Sequence, residues 1–190
     1  MAIKKEEIIN NTKRYISAAY KHNFMTPELE ELLGKEFITA PASHITAYYN
    51  AFEGGLIDHI LRIMGNSYKY NKLIIKEGQV ENESLMKVAG LCEIGKAKLY
   101  IHNESKWHRD NLGKMYEFNP DITSMRVGER SLYYALSCGV KLNSDECAGI
   151  LNHDKEYDPQ SEYHNSKVGF IVTQATRMSI YEEKLLLNES

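Results

Sequence analysis

Apolar positions recur along this chain three and four residues apart through most of its length, the spacing of amphipathic helices. Ile8, Ile9, Thr12, Tyr15, Ile16 and Ala19 share one face of an opening helix. Thr26-Pro27-Glu28 reads as a second start: a capping hydroxyl, a ring where no amide hydrogen is needed, then a carboxylate near the positive dipole end. Gly34 is expected to end that helix. Residues 37–49 are irregular and lead to Gly54-Gly55, after which Leu56, Ile60, Ile63 and Met64 line a helix running on through Tyr68 to Leu73. Ser84 is placed to cap a helix carrying Leu85, Val88, Leu91 and Cys92, with Gly95 near its end. Residues 97–124 are polar and aromatic by turns and predict no regular element. Helix returns over 129–138, 143–152 and 166–187, where Asn143 with Glu146 forms a capping-box start. Strict alternation is rare, and no repeat or linker interrupts the pattern. The expectation is one all-α domain over residues 1–190.

Composition narrows the class. The chain has 190 residues, 43% hydrophobic and 26% charged, enough for one globular core without staples. Thirteen Tyr against five Phe and one Trp suit half-buried positions with a wet hydroxyl. A net charge of −3 gives no global electrostatic reason to bind nucleic acid or a membrane. Cys92, Cys138 and Cys147 show no CxxC spacing, so neither a zinc ribbon nor a disulfide framework is indicated. The first residues, MAIKKEEIINNTKRY, contain no apolar leader, and no stretch is long enough to span a bilayer. A reducing cytosol is the expected compartment.

Two segments carry the chemistry. One runs Tyr49-Asn50-Ala51-Phe52-Glu53-Gly54-Gly55-Leu56-Ile57-Asp58-His59, preceded by Ala40-Pro41-Ala42-Ser43; the other is Ala89-Gly90-Leu91-Cys92-Glu93-Ile94-Gly95-Lys96. Here the chain resembles the HD superfamily of metal-dependent phosphohydrolases, in the GGLxxH branch of HD-type 3′–5′ exoribonucleases and small phosphohydrolases. Trp107-His108-Arg109 with Gly113-Lys114, Tyr116 and Asn119-Pro120 is similar to that branch's connecting region. Arg130-Ser131-Leu132 and Ile150-Leu151-Asn152-His153-Asp154 are similar to its late helices, so the likeness spans about 37–180. The resemblance implies an HD-like helical bundle. It also implies a divalent metal held by a His after the glycines, a His-Asp pair before Ile-Gly-Lys, and a later Asp.

The chain departs from that pattern at most ligands. His59 keeps the first position, but Cys92-Glu93 replaces the His-Asp pair, Thr176 stands for the closing Asp, Tyr49 for an earlier His, and Glu129 near another His. Mg²⁺ and Mn²⁺ prefer carboxylate, water and imidazole, whereas a thiolate favours zinc. No cofactor is expected; if there is one, it is a divalent metal, zinc before Mn or Mg, held by His59, Cys92, Glu93, His153 and Asp154. Each of these residues also has a plain structural reading: Cys92 as a small core side chain, Glu93 to Lys96 as a helix end, His153-Asp154 as a loop entry. Lys96, Arg109, Lys114 and Arg130 could line the cleft and hold phosphate oxygens, or serve as solvated surface charge. Trp107 is expected in the core or the cleft wall. The favoured function is a pseudoenzyme whose cleft binds a nucleotide, a phosphate-bearing ligand, a protein partner or a second copy. The alternative is a hydrolase of nucleotide or oligonucleotide phosphoesters with a reorganised metal shell.

Overall fold

The computed structural model describes residues 3–155 and 166–188, so 1–2, 156–165 and 189–190 of the expected domain lie outside the described residues. It is an all-α domain. Among the described residues there are eight α-helices: α1 (Lys5–Lys21), α2 (Pro27–Thr39), α3 (Gly55–Leu73), α4 (Asn82–Leu91), α5 (Lys106–Leu112), α6 (Val127–Ser137), α7 (Ser144–Asn152) and α8 (Lys167–Asn188). Short 3₁₀ turns occupy Lys76–Gly78 and Ile94–Lys96. The strands β1 (Tyr100–His102) and β2 (Tyr116–Phe118) form one small antiparallel ladder. No helix among the described residues is long and apolar enough to cross a membrane.

The core is built on α3, which packs against α8 on one side and α4 on the other, with α7 closing the gap between α4 and α8. Leu56, Ile60 and Ile63 of α3 meet Leu85, Val88 and Leu91 of α4 and Val172 and Ala175 of α8, all of them buried. Each such large side chain contributes roughly 1.5–3 kcal/mol on leaving water. The amphipathic stripe of α1 ends in Tyr15, whose hydroxyl donates to Gly90 O at 3.0 Å and whose ring meets Phe24 and Phe37 edge-on.

The glycine pair sets the entry of α3. Gly54 sits at φ 80°, and a Cβ on Gly55 would lie 2.2 Å from the backbone oxygen of Asn50. Asn50 then donates its side-chain amide to Gly55 O at 3.3 Å and to Asp58 Oδ2 at 3.0 Å. This clamp fixes the rotation of the first turn and hence the direction of His59.

Gly34, at φ 59°, ψ −160°, ends the first helical segment of α2 as expected, and a second segment beyond this kink carries Phe37 into the core. Three expectations are corrected. Ser84 is no cap: α4 starts at Asn82, because Asn71 of α3 exchanges two hydrogen bonds with Val80 (2.9 and 3.0 Å) and so fixes the approach. Residues 97–124 hold β1, α5 and β2; three-residue strands are too short to show alternation, and cross-strand Tyr100–Phe118 and His102–Tyr116 ring contacts support them. Trp107, on α5, is 60% exposed rather than part of the core.

Two glycines of α3 give opposite expectations. Gly55→Ala should destabilise by about 1–3 kcal/mol, because its neighbour is backbone that cannot move aside. Gly65→Ala meets nothing within 4 Å and should stabilise by about 0.5–1 kcal/mol. Urea unfolding of the two variants beside the parent chain measures both signs.

Candidate functional site

A turn of chain after α4 carries the central charge. Glu93 follows the last turn of the helix, and Lys96 N donates to Glu93 O at 3.0 Å, closing the 3₁₀ turn that puts both side chains on one side. Glu93 is 3% exposed, and its Oε2 lies 2.6 Å from Lys96 Nζ. The other oxygen, Oε1, accepts from His153 Nε2 at 3.2 Å. Lys96 Nζ also donates to Tyr49 Oη at 3.0 Å, and the Tyr49 ring packs on the His59 ring with centroids 4.9 Å apart.

Helix α6 braces this turn from behind. A Cβ on Gly95 would lie 2.4 Å from Val127 O, so only glycine lets α6 approach this closely. Gly95 N donates to Ser131 Oγ at 2.8 Å, and that hydroxyl donates in turn to Cys92 O at 2.9 Å. Arg130 spends its guanidinium on the carbonyls of Gly95 (3.2 Å), Thr123 (2.9 Å) and Met125 (3.3 Å).

His59 approaches from α3 and is fully buried. Its Nδ1 lies 2.9 and 3.0 Å from the two oxygens of Glu183 on α8. A carboxylate only accepts, so Nδ1 carries a proton and donates to Glu183, which turns Nε2 toward Glu93. That Nε2 is buried without a hydrogen-bond partner, 4.0 Å from Glu93 Oε1. His153, at the end of α7, is oriented the same way: its Nδ1 donates to Ile150 O at 2.8 Å and its Nε2 faces Glu93.

The electrostatics are those of a closed ion cluster. Burial pushes the Glu93 carboxyl upward, but Lys96, then His153 and His59, outweigh it and hold the group well below the usual carboxylate range. Burial pulls Lys96 down, and Glu93 and Tyr49 hold it well above its ordinary value. Burial likewise lowers His153, yet the hydrogen bond and charge of Glu93 raise it overall. Glu93 is therefore an anion matched by the Lys96 ammonium and, below its raised pKa, by the His153 imidazolium.

The cleft beside this cluster holds about 160 Å³ and is lined by Tyr49, Glu93, Lys96, His153, Asp154 and Thr176, with Val127, Arg177 and Ile180 around them. His59, Glu93, Lys96, His153 and Asp154 are thus brought to one region. Cys92 belongs to the hydrophobic core instead, its thiol directed to Ala89 O at 3.5 Å and pushed well above its ordinary pKa by burial and by Glu93. A neutral buried thiol is neither nucleophile nor ligand. Thr176 turns its hydroxyl back to Val172 O at 2.9 Å. Arg109 bonds Asn103 O, and Lys114 lies in a backbone bridge to Ile45; neither lines the cleft. Glu129 accepts from Arg126 N at 3.0 Å and so caps α6.

Glu183 and Arg62 are site residues that the motifs do not reveal. Arg62 Nε lies 3.3 Å from Glu183 Oε1, and the same guanidinium reaches Glu182 at 3.8 Å and Asp58 at 3.6 Å. Their trace in the sequence is a polar stripe on the last helix: Thr173, Thr176, Ser179 and Glu183 recur at helical spacing and are all buried.

The residues present do not fit the metal that the resemblance implies. Cys92 faces the core, the Thr176 hydroxyl is used by its own helix, and the Lys96 ammonium rests on the carboxylate that a cation would need. Among the described residues no group of three or more His, Cys, Asp or Glu side chains is disposed to hold a metal ion. No protein-family model, curated protein or solved structure matches the chain.

Removing one partner of a buried ion pair strands the other. Lys96→Met should cost about 3–5 kcal/mol, and adding Glu93→Gln should recover much of that loss. A double-mutant cycle by chemical unfolding reads the coupling. The pH dependence has a defined sign. Because His153 is raised on folding, its contribution is complete below about pH 6.5 and is lost as pH climbs through the higher folded value. Stability should therefore fall as pH rises from about 6.5 through that folded value, and His153→Gln should flatten the slope.

Proposed function

We propose that this chain is a non-catalytic, HD-phosphohydrolase-like domain that works by binding, with an internal ion cluster standing where such enzymes keep their metal. One observation carries the reading: Lys96 Nζ lies 2.6 Å from Glu93 Oε2 while His153 Nε2 holds Oε1 at 3.2 Å, so both carboxylate oxygens are engaged by the protein's own groups. A lysine ammonium supplies charge, but it is no Lewis acid with open positions and cannot lower the pKa of a bound water as a metal does.

The size of the cleft supports the same conclusion. About 160 Å³ is well below the roughly 300–1,000 Å³ of pockets that enclose drug-sized ligands, so a nucleotide base and sugar would have to lie outside it. Lys96 is committed to Glu93 and Tyr49, and Arg130 to backbone carbonyls, so neither is directed at a phosphate. Binding through the outer surface, to a macromolecular partner, is the reading favoured over a nucleotide held in the cleft.

A second reading rests on His59 Nε2. Both imidazoles have their Nδ1 atoms held by buried acceptors and their Nε2 atoms turned toward Glu93, the outer-sphere arrangement that orients histidine ligands. If Lys96 left the carboxylate, two imidazoles and a carboxylate would suit zinc better than magnesium.

Elemental analysis of the purified protein separates the two readings, together with phosphodiester and nucleotide turnover assays under Mn²⁺, Mg²⁺, Ni²⁺ and Zn²⁺. The expected result is less than a stoichiometric amount of metal and no turnover that depends on His59. One equivalent of metal, lost in His59→Ala along with a metal-dependent activity, overturns the non-catalytic reading.

A further inference from the structure

The end of the molecule formed by the last turns of α3 and the first turns of α8 has a charge pattern unlike the rest. Residues 66–76 contain Lys69, Lys72 and Lys76, residues 166–181 contain Lys167 and Arg177, and neither stretch contains an Asp or Glu. All five basic residues are exposed, in a chain with 26 acidic and 23 basic residues overall. Glu77 and Glu182 mark the limits of this acid-free zone.

The two stretches wall an apolar groove of about 550 Å³, lined by Tyr70, Ile74, Phe170, Ile171, Met178 and Tyr181 among others. Ile74 faces this groove, but its neighbours stand out in solvent. Leu73 is 81% and Ile75 75% exposed, the highest values among the large hydrophobic side chains described. Tyr68 and Tyr181 are half-exposed beside them, and Lys72 Nζ lies 5.5 Å above the Tyr68 ring. Contiguous exposed apolar surface of this kind marks an interaction site.

We propose that this end of the domain docks on the surface of an anionic lipid bilayer. Leu73 and Ile75 enter the boundary between headgroups and acyl chains, the tyrosines sit at headgroup level, and the lysines rest on lipid phosphates. Two features favour a lipid surface over a protein partner. A helix seated in the groove would cover Phe170, Met178 and Tyr181 but leave Leu73 and Ile75 protruding beyond its end, whereas a bilayer takes up groove rim and tip together. A second copy meeting the first through this face would set five basic residues against five others, with no carboxylate in either stretch to pair with them. The attachment is peripheral and reversible, as a short apolar tip with a basic fringe gives.

The test is co-sedimentation of the purified protein with vesicles of phosphatidylcholine alone and of phosphatidylcholine mixed with phosphatidylglycerol, at low and high salt. The parent chain should bind the mixed vesicles, bind the neutral ones far less, and be released by salt. Each lysine is expected to contribute about fivefold to partitioning, so Lys69→Ala/Lys72→Ala/Lys76→Ala should lose about a hundredfold. Leu73→Ser/Ile75→Ser should lose binding even at low salt. All five substituted side chains are exposed, and an unchanged helical circular dichroism signal verifies folding. No binding to mixed vesicles, or binding equal in parent and both variants, overturns the proposal. A dimer in sedimentation velocity that the Leu73→Ser/Ile75→Ser change dissociates would also overturn it, assigning the face to a second copy.

Discussion

A carboxylate that is 3% exposed has to be surrounded by donors, and the arrangement around Glu93 follows from that need. Lys96 comes from the same turn, His153 from the end of α7, and His59 from the first turn of α3. Each of these is itself held in place: Lys96 by Tyr49, His153 by the Ile150 carbonyl, His59 by Glu183 on α8. Four separate parts of the chain are thereby tied to one charge. Such a cluster is a poor source of net stability, since an apolar replacement of equal volume is often as good or better. Its value lies in specifying how the elements meet.

The turn that carries Glu93 is shaped from outside the cleft. Helix α6 approaches closely because Gly95 has no side chain, and Ser131 and Arg130 then satisfy the backbone groups that the turn leaves open. Arg130 shows how a residue type can mislead. An arginine near a suspected phosphate site invites an anion-binding role, yet its guanidinium donates to three carbonyls and is almost completely buried. Both uses exploit the same planar fork of donors, and only the surroundings tell them apart.

The all-helical architecture was legible because six of the long helices carry apolar faces at helical spacing, and the capping signals at Thr26 and Asn143 sit where those helices begin. The resemblance leads to the expectation that His59, Cys92 and Glu93 share one cleft; His59 and Glu93 do approach one another, whereas Cys92 faces the core. Cys92 was readable both ways, and its place four residues after Val88 and seven after Leu85 on the apolar face agrees with the core position it holds. The short strands and the exposure of Trp107 were not legible, because three-residue pairing leaves no periodic trace and a single aromatic carries no direction. Glu183 escaped for a different reason: it follows Thr176 by two turns in a helix whose apolar residues dominate the pattern, and only its contact with His59 reveals it.

The antiparallel packing of α3 and α8 carries both polar and apolar contacts along one seam. His59 meets Glu183, Asn66 meets Ser179 with Nδ2 3.1 Å from Oγ, and Tyr70 and Ile74 meet Phe170 and Ile171 at the far end. Along this seam α8 buries Thr173, Thr176 and Ser179, three hydroxyls that would ordinarily demand partners across the interface. Each donates to the carbonyl four residues earlier, on Gly169, Val172 and Ala175, at 2.8, 2.9 and 2.8 Å, and Ser179 and Thr173 also meet Asn66 and the Asn152 carbonyl across the interface. The Thr176 hydroxyl is thus satisfied within its own helix. Lys96 performs the corresponding service for Glu93 on the opposite wall. The same seam then becomes apolar and basic toward the far end, where polar satisfaction gives way to exposed Leu73 and Ile75. One helix pair thus divides its length between an internally balanced centre and a face that still lacks its partner.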